Sequence, residues 1–303
     1  MLTLGGYLHR LMACDPMSVM LKSLYALAFL LIVGGLVFQF AALEAFNLLV
    51  HKDQGSELAA KDVAYGNDPR QKLDVYKPVS GVGPWPVIVF VHGGSWQGGN
   101  KNPYEFVGRA LAAQGFVTLV INYRLHPDNK YPAFVEDTAV ALLWAAVHAA
   151  DYGGTGDKLF AMGHSAGAYN IVQAVSDAEF SAGRPKLLGI VSLAGPFDFL
   201  PLDSAITKEV FGYLPNLPDT QPVNHARRDA PPFLILHGSG DKTVFPRNSK
   251  ALDAALRKAG ASSTLKIYDG ISHVDIILAL STWKRGTAPV LADAVAFMRD
   301  KLK

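Results

Sequence analysis

The sequence predicts an α/β architecture with a mostly parallel central sheet covered by helices on both faces. Two observations predict it. Short continuous apolar runs, the mark of strands buried on both sides, alternate along the chain with longer segments of helical character. The 303 residues are half hydrophobic and carry a formal net charge of +2, which suits one large domain with an ample core plus an appendage. Charges of both signs are scattered, so the chain has no basic footprint for nucleic acid. Cys14 is the single cysteine. No intramolecular disulfide can form, and cysteine content leaves the redox compartment open.

Residues 1–22 are read as an N-terminal tail. From Ser23 to Leu43 the next 21 residues contain no formal charge, and roughly 20 apolar residues are enough to cross a bilayer as a helix. A signal peptide is the main rival, but its apolar core usually spans about 7–15 residues. A buried core helix is disfavoured because the run is apolar all round. Residues 23–43 are therefore expected to form a single transmembrane helix, or an uncleaved signal-like segment, that anchors the protein in a membrane. Arg10 and Lys22 precede the run and Lys52 follows it. That bias puts the N-terminus in the cytoplasm and the remaining chain on the periplasmic or outer side.

Glu44 to Val50 keeps helical character, and His51-Lys52-Asp53-Gln54-Gly55-Ser56 breaks it. Residues 44–59 are read as a linker and 60–303 as the main domain. Two strand-like segments, Asp62–Tyr65 and Lys72–Tyr76, flank a Gly66-Asn67-Asp68-Pro69 turn. Buried strands are expected at Val87–Val91, Val117–Ile121, Leu159–Met162, Leu188–Ala194 and Phe233–His237 from their unbroken apolar runs. A last strand is expected at Leu265–Tyr268. Helical segments are expected at Tyr104–Gln114, Phe134–Ala150, Ala166–Ser176, Ser249–Ala259 and Ala288–Leu302. Between Pro196 and Pro231 the alternation lapses into a stretch rich in Pro, Asp and aromatic residues. Such an excursion either overhangs the carboxyl ends of the strands as a small cap over 196–231 or runs over the surface as an ordinary loop.

The pentapeptide Gly163-His164-Ser165-Ala166-Gly167 lies between an apolar run and a helix start. In that setting Gly-x-Ser-x-Gly resembles the nucleophile elbow of α/β-hydrolases, where the turn is so tight that the flanking positions must be small. A serine hydroxyl needs a base to take its proton and a third group to hold that base. In α/β-hydrolases these follow in the order Ser, Asp or Glu, His. Asp241 sits in the turn His237-Gly238-Ser239-Gly240-Asp241 after a buried strand, and His273 follows the last strand in Asp269-Gly270-Ile271-Ser272-His273. Asp198 is an alternative acid, but its Gly195-Pro196-Phe197 setting reads as shaping the excursion, and Asp275 is too near His273 in sequence to orient it. His237 reads as structural, within the loop that carries Asp241. His164 occupies a variable position of the elbow.

A developing oxyanion needs preorganised donors. Strand Val87–Val91 runs into His92-Gly93-Gly94-Ser95-Trp96, where glycines allow the backbone close to a substrate. The backbone N–H groups of Gly94, Ser95 and Ala166 are the expected oxyanion donors, and His92 reads as a brace. The stretch Gly94 to Lys101 faintly resembles a phosphate-binding loop but lacks the Gly-Lys-Ser/Thr ending, with Trp96 where phosphate should be cradled. No metal-ligand motif is present, so neither a metal nor another cofactor is expected.

Together the residues His92-Gly93-Gly94-Ser95-Trp96, Tyr123-Arg124-Leu125-His126-Pro127, Tyr131-Pro132-Ala133, Asp137, Gly163 to Gly167, Asp241 and His273 resemble the α/β-hydrolase superfamily. The likeness is to the esterase/lipase group with a His-Gly-Gly oxyanion loop, akin to hormone-sensitive-lipase-like carboxylesterases, over roughly residues 60 to 303. The resemblance implies an α/β-hydrolase fold with Ser165, Asp241 and His273 as nucleophile, acid and base. Tyr123, Arg124 and Asp137 read as fastening the turn beneath the site. Many relatives carry a third glycine where this chain has Ser95. The Ser95-Trp96 pattern is also similar to arylformamidases and to isoprenylcysteine methylesterases.

The expected activity is hydrolysis of small-molecule carboxylic esters with short to medium acyl chains, through an acyl-enzyme. An arylformamidase is the nearest alternative. Acyl transfer to a lipid or sugar and a non-catalytic binding module are the others.

Overall fold

A computed structural model describes residues 42–303 apart from Ala182 and Arg184. The expected tail and nearly all of the expected membrane helix, up to residue 41, lie outside the described residues. The chain divides into two units, Met1–Ala45 and Phe46–Lys303, and the second holds every strand of the sheet. Residues 42–49 are helical (α1).

Eight strands form one sheet in the order β1-β2-β4-β3-β5-β6-β7-β8. They are β1 (Ser56–Ala64), β2 (Lys72–Pro78), β3 (Trp85–Val91), β4 (Val117–Ile121), β5 (Gly154–His164), β6 (Leu187–Leu193), β7 (Phe233–Gly238) and β8 (Ser263–Tyr268). β1 and β2 pair antiparallel to each other, and β2 pairs antiparallel to β4; every other pairing is parallel. The helices are α2 (Glu105–Ala112), α3 (Ala133–His148), α4 (Ala166–Ser176), α5 (Ala178–Ser181), α6 (Ala205–Phe211), α7 (Arg247–Lys258), α8 (Asp275–Leu278) and α9 (Val290–Asp300).

The apolar strand runs are buried as expected. Val87 to Val91 and the whole of β4 are inaccessible to solvent or nearly so. α3 and α4 pack on each other and on β3 and β5, while α2 and α9 pack on each other and on β4, β6 and β7. α7 shows why sequence spacing finds a helix: Asn248, Ser249, Leu252 and Leu256 are buried along one stripe. α3 with the turn after it, Ala133–Tyr152, is the one helix among the described residues long and apolar enough to cross a membrane, and half of it is buried in the protein.

Residues 46–59 differ from the expected linker. Val50 and Ser56 are buried, the Phe106 amide donates to Asn47 Oδ1 at 3.1 Å, and Arg285 forks onto Asp53 at 3.0 and 2.9 Å. β1 starts at Ser56, ahead of the expected strand. It is an edge strand whose Glu57, Lys61 and Asp62 are exposed, so no apolar alternation marks it. Those charges discourage pairing with another chain.

The site lies at the carboxyl edge of the parallel strands. β3 neighbours both β4 and β5, and Val91 pairs with Gly163. The loop after β3 and the turn after β5 are therefore side by side, in the crevice where open α/β sheets place ligands.

Candidate active site

Ser165 sits between β5 and α4 with φ 54° and ψ −124°. Such a conformation is costly for a residue with a side chain and persists only where its surroundings enforce it. The neighbours enforce it here. A Cβ on Gly167 would lie 2.2 Å from the Val91 carbonyl oxygen, and one on Gly163 would lie 2.7 Å from the Ala168 nitrogen. The Ser165 amide donates to the Leu193 carbonyl at 2.9 Å.

The Ser165 hydroxyl donates to His273 Nε2 at 2.9 Å, and His273 Nδ1–H donates to Asp241 Oδ2 at 2.6 Å. The three residues expected from the sequence are thus joined in one hydrogen-bonded chain. The acid is held from several sides. Asp241 Oδ1 accepts from the amides of Thr243 at 2.8 Å and Val244 at 2.9 Å. His237 Nε2 lies 3.2 Å from Oδ2 and 2.8 Å from the Val244 carbonyl. Burial alone would raise the Asp241 pKa, but the hydrogen bonds from His237 and His273 outweigh it and hold the carboxyl well below the usual carboxylate range. Asp198, the alternative acid, is exposed. Asp275 instead accepts from the Ser272 hydroxyl within its own turn.

The expected oxyanion donors differ in placement. Ser95 and Ala166 line a cavity of about 280 Å³ with Ser165, whereas Gly94 does not. Gly94 instead turns the loop, with φ 136° and a carbonyl that accepts from the Gln97 and Gly98 amides at 3.2 and 3.0 Å. Ser95 and Trp96 follow at φ 51° and 60°. Gly93 is packed so closely that a Cβ on it would lie 2.9 Å from that of Ser165.

His92 braces this loop. It is fully buried, its ring stacks on Tyr123 with centroids 4.5 Å apart, and its Nδ1 lies 2.7 Å from the Gly93 carbonyl. Burial pushes its pKa down to about 3, against the bond to that carbonyl. Tyr123 donates to the His92 carbonyl at 3.0 Å, and Arg124 Nε pairs with the buried Asp137 at 2.8 Å. Both are the fastenings that the sequence led one to expect. Lys101, at the end of the phosphate-loop-like stretch, is buried and committed to Asp62 and Asp74 at 2.7 Å each.

The excursion between β6 and β7 supplies Phe199, Ile206 and Thr207 to the cavity wall, Val244 and Phe245 come from the loop after β7, and Arg247 from the start of α7. Two residues escaped sequence reasoning. Asn170 accepts from Trp96 Nε1 at 2.9 Å, fixing an indole that meets Phe211 edge-on at 4.9 Å. Asn248 accepts from the Phe197 and Asp198 amides at 2.9 Å each. The only available signal was an amide side chain inside an otherwise apolar or amphipathic helix, which by itself names no partner. Among the described residues no cluster of three or more His, Cys, Asp or Glu could hold a metal ion.

Comparison with known proteins finds esterases among the relatives. The chain is 28% identical over 249 residues to the probable isoprenylcysteine alpha-carbonyl methylesterase ICMEL1 of Arabidopsis thaliana, covering 74% of this chain and 52% of that protein. It is 30% identical over 227 residues to esterase LipC of Mycobacterium tuberculosis, covering 66% and 55%. The chain spans 52% and 63% of the length of the methylesterase relatives in Arabidopsis thaliana and Oryza sativa that it matches. Esterase B from Lactobacillus rhamnosis superposes with a TM-score of 0.78 at 20% identity, over 90% of this chain and 96% of that one. An esterase of Thermogutta terrifontis does so with a TM-score of 0.66 at 23% identity, over 82% and 96%. At such identities the structures establish the fold, an α/β-hydrolase fold with a mostly parallel central sheet. The BD-FAE family model matches residues 73–256, and the chain belongs to that family, within the esterase group of the α/β-hydrolases.

Proposed function

We propose that the protein is a serine carboxylesterase acting on small-molecule esters of short to medium acyl chains. The observation that carries the proposal is the unbroken relay from Ser165 through His273 to Asp241, opening on a cavity beside the strained loop after β3. Ser165 Oγ attacks the ester carbonyl while His273 Nε2 takes its proton. The same imidazolium then protonates the leaving alcohol, and Asp241 stabilises its charge and keeps Nδ1 protonated. The amides of Ser95 and Ala166, with Gly94 shaping the loop, meet the oxyanion. Water repeats the sequence on the acyl-enzyme and releases the acid. The cavity, about 280 Å³, is slightly smaller than typical ligand pockets, which run from about 300 to 1,000 Å³; this supports a short acyl group.

The 21-residue uncharged run at 23–43 supports a second part of the proposal, a membrane anchor that leaves the catalytic unit outside the cytoplasm. Retention of the full chain in membranes after an alkaline carbonate wash is the expected result, and release would remove that part.

Hydrolysis of p-nitrophenyl esters from acetate to palmitate tests the activity. Saturable turnover that peaks at short to medium chains and vanishes in Ser165→Ala is expected. Absence of turnover on every ester, with cleavage of an aryl formamide, would replace the reading with that of an amidase.

A further inference from the structure

The proposed relay leaves one buried titratable group beside it without a role. His164, next to the nucleophile, is 5% exposed, and its ring lies against that of His273 with centroids 4.8 Å apart. His164 Nε2 is 2.9 Å from the main-chain carbonyl oxygen of His273. Its other nitrogen, Nδ1, is buried without a hydrogen-bond partner and faces Gly93, where a Cβ would stand 3.2 Å away. A proton on Nδ1 would have no acceptor, so the proton belongs on Nε2 and is donated to the carbonyl. Burial holds the pKa of this ring down to about 3, with the neighbouring His273 acting in the same direction. The ring is neutral at physiological pH and stays a single, oriented donor.

We propose that His164 is a positioning residue: it ties the backbone of His273 to the nucleophile turn and so sets the distance between Ser165 Oγ and His273 Nε2. The inference rests on the reading of Ser165 and His273 as nucleophile and base. Topology explains the need for such a tie. Ser165 follows β5 and His273 follows β8, three positions away in the sheet order. Sheet register therefore fixes the elbow against β6 but leaves the base-bearing loop at the end of a chain of pairings. Catalytic geometry tolerates little error, and a misplacement of about 1 Å can cost roughly 100-fold in rate. A donor on the residue before the nucleophile removes that slack directly. Neutrality matters as well, because His273 becomes an imidazolium during turnover, and a second cation with its ring 4.8 Å away would oppose that charge.

The test compares His164→Gln with His164→Asn in the full chain. Glutamine carries an N–H donor to about the reach of the ring Nε2, whereas asparagine stops one bond short. With a p-nitrophenyl ester as substrate, the expected result is kcat within about threefold of the parent for the glutamine variant. The asparagine variant is expected to lose tenfold or more in kcat, with KM within twofold in both, since the tie aligns the base and does not touch the substrate. A merely structural role would lower both variants alike through stability, and melting temperatures measured on the same samples report that. Equal kcat in the two variants, whether both high or both low, overturns the proposal. Ser165→Ala assayed alongside separates the cases: if it retains turnover, the reading of the relay itself has failed, whatever the His164 variants show.

Discussion

The loops that carry Ser165, Asp241 and His273 differ in construction from the excursion between β6 and β7 that faces them. The loops are short and fixed by directed bonds. The Asp241 carboxylate alone meets two amides and two imidazoles, and the Ser165 backbone is locked by contacts that leave no room for a Cβ on either flanking glycine. The excursion runs through α6 and two turns of 3₁₀ helix at Leu217–Thr220 and Pro222–His225. It is held by aromatic contacts, such as Phe199 against Phe211 at 5.5 Å and Tyr169 at 5.9 Å, and by hydrogen bonds that include the Phe197 amide to Asn248 at 2.9 Å, Tyr169 to the Thr220 carbonyl at 2.7 Å and Gln173 to the Asp219 carbonyl at 2.9 Å. Asp203 and Ala205 on it are exposed. Directed bonds tolerate no substitution that moves an atom, whereas aromatic packing tolerates a change of volume. The first region therefore suits bond making, and the second suits fitting a range of acyl groups.

Five substitutions, one of them read in a pH series, sharpen this contrast. Ser165→Ala has the largest expected effect, a fall in kcat of about 10⁴-fold or more, read from ester hydrolysis. Asp241→Asn leaves the shape in place but offers His273 the wrong hydrogen-bond partner, and a loss of about 10³–10⁴-fold is expected. Gly167→Ala drives a Cβ to 2.2 Å from the Val91 carbonyl. It is expected to lower the melting temperature by about 10 °C, or to abolish soluble expression, through overpacking. Phe199→Ala, on the excursion, is expected to change kcat on acetate or butyrate by less than about fivefold while moving the preferred chain length upward. A loss on every ester as large as that of Asp241→Asn would show that the excursion belongs to the rigid half.

The smallest effect is on stability against pH. His92 and His164 each have a folded-state pKa near 3 because of burial, against about 6.5 in the unfolded chain. Between those values the unfolded state binds more protons, so stability is complete above about pH 6.5 and declines as pH falls toward 3. Urea melts from pH 7 to 5 are expected to show that decline begin before carboxylates titrate. His92→Phe, which keeps a ring on Tyr123, is expected to make the decline about half as steep, leaving the His164 contribution.

The same contrast governs how much of the molecule is legible in its sequence. Legibility is greatest where one local pattern encodes one local shape. Phe160-Ala161-Met162 before Gly163-His164-Ser165 announces a strand and a turn, and β5 ends at His164 and α4 begins at Ala166. Asp241 and His273 are legible because each follows a strand within a few residues. The turn after β3 is legible from its glycines, but its detailed course, with Ser95 and Trp96 at positive φ after Gly94, is not. His164 looks like a variable position because its partner carbonyl is 109 residues away, and spacing carries no trace of such a contact. β1 is foreshortened in the sequence because an exposed edge strand has no apolar face to alternate. Within the expected linker over 44–59, the burial of Asn47 and Val50 is not legible, because a lone amide in an apolar run and a valine just before a polar break name no partner.

The central claim, that Ser165 forms a covalent acyl-enzyme, is tested most directly by trapping it. The full chain incubated with a p-nitrophenyl alkylphosphonate is expected to release one equivalent of nitrophenol and lose ester hydrolysis in step. Intact mass should then show a single adduct, mapped by peptide sequencing to Ser165, with none formed in Asp241→Asn on the same time scale. An adduct on any other residue, or full activity in a protein labelled at Ser165, would contradict the account.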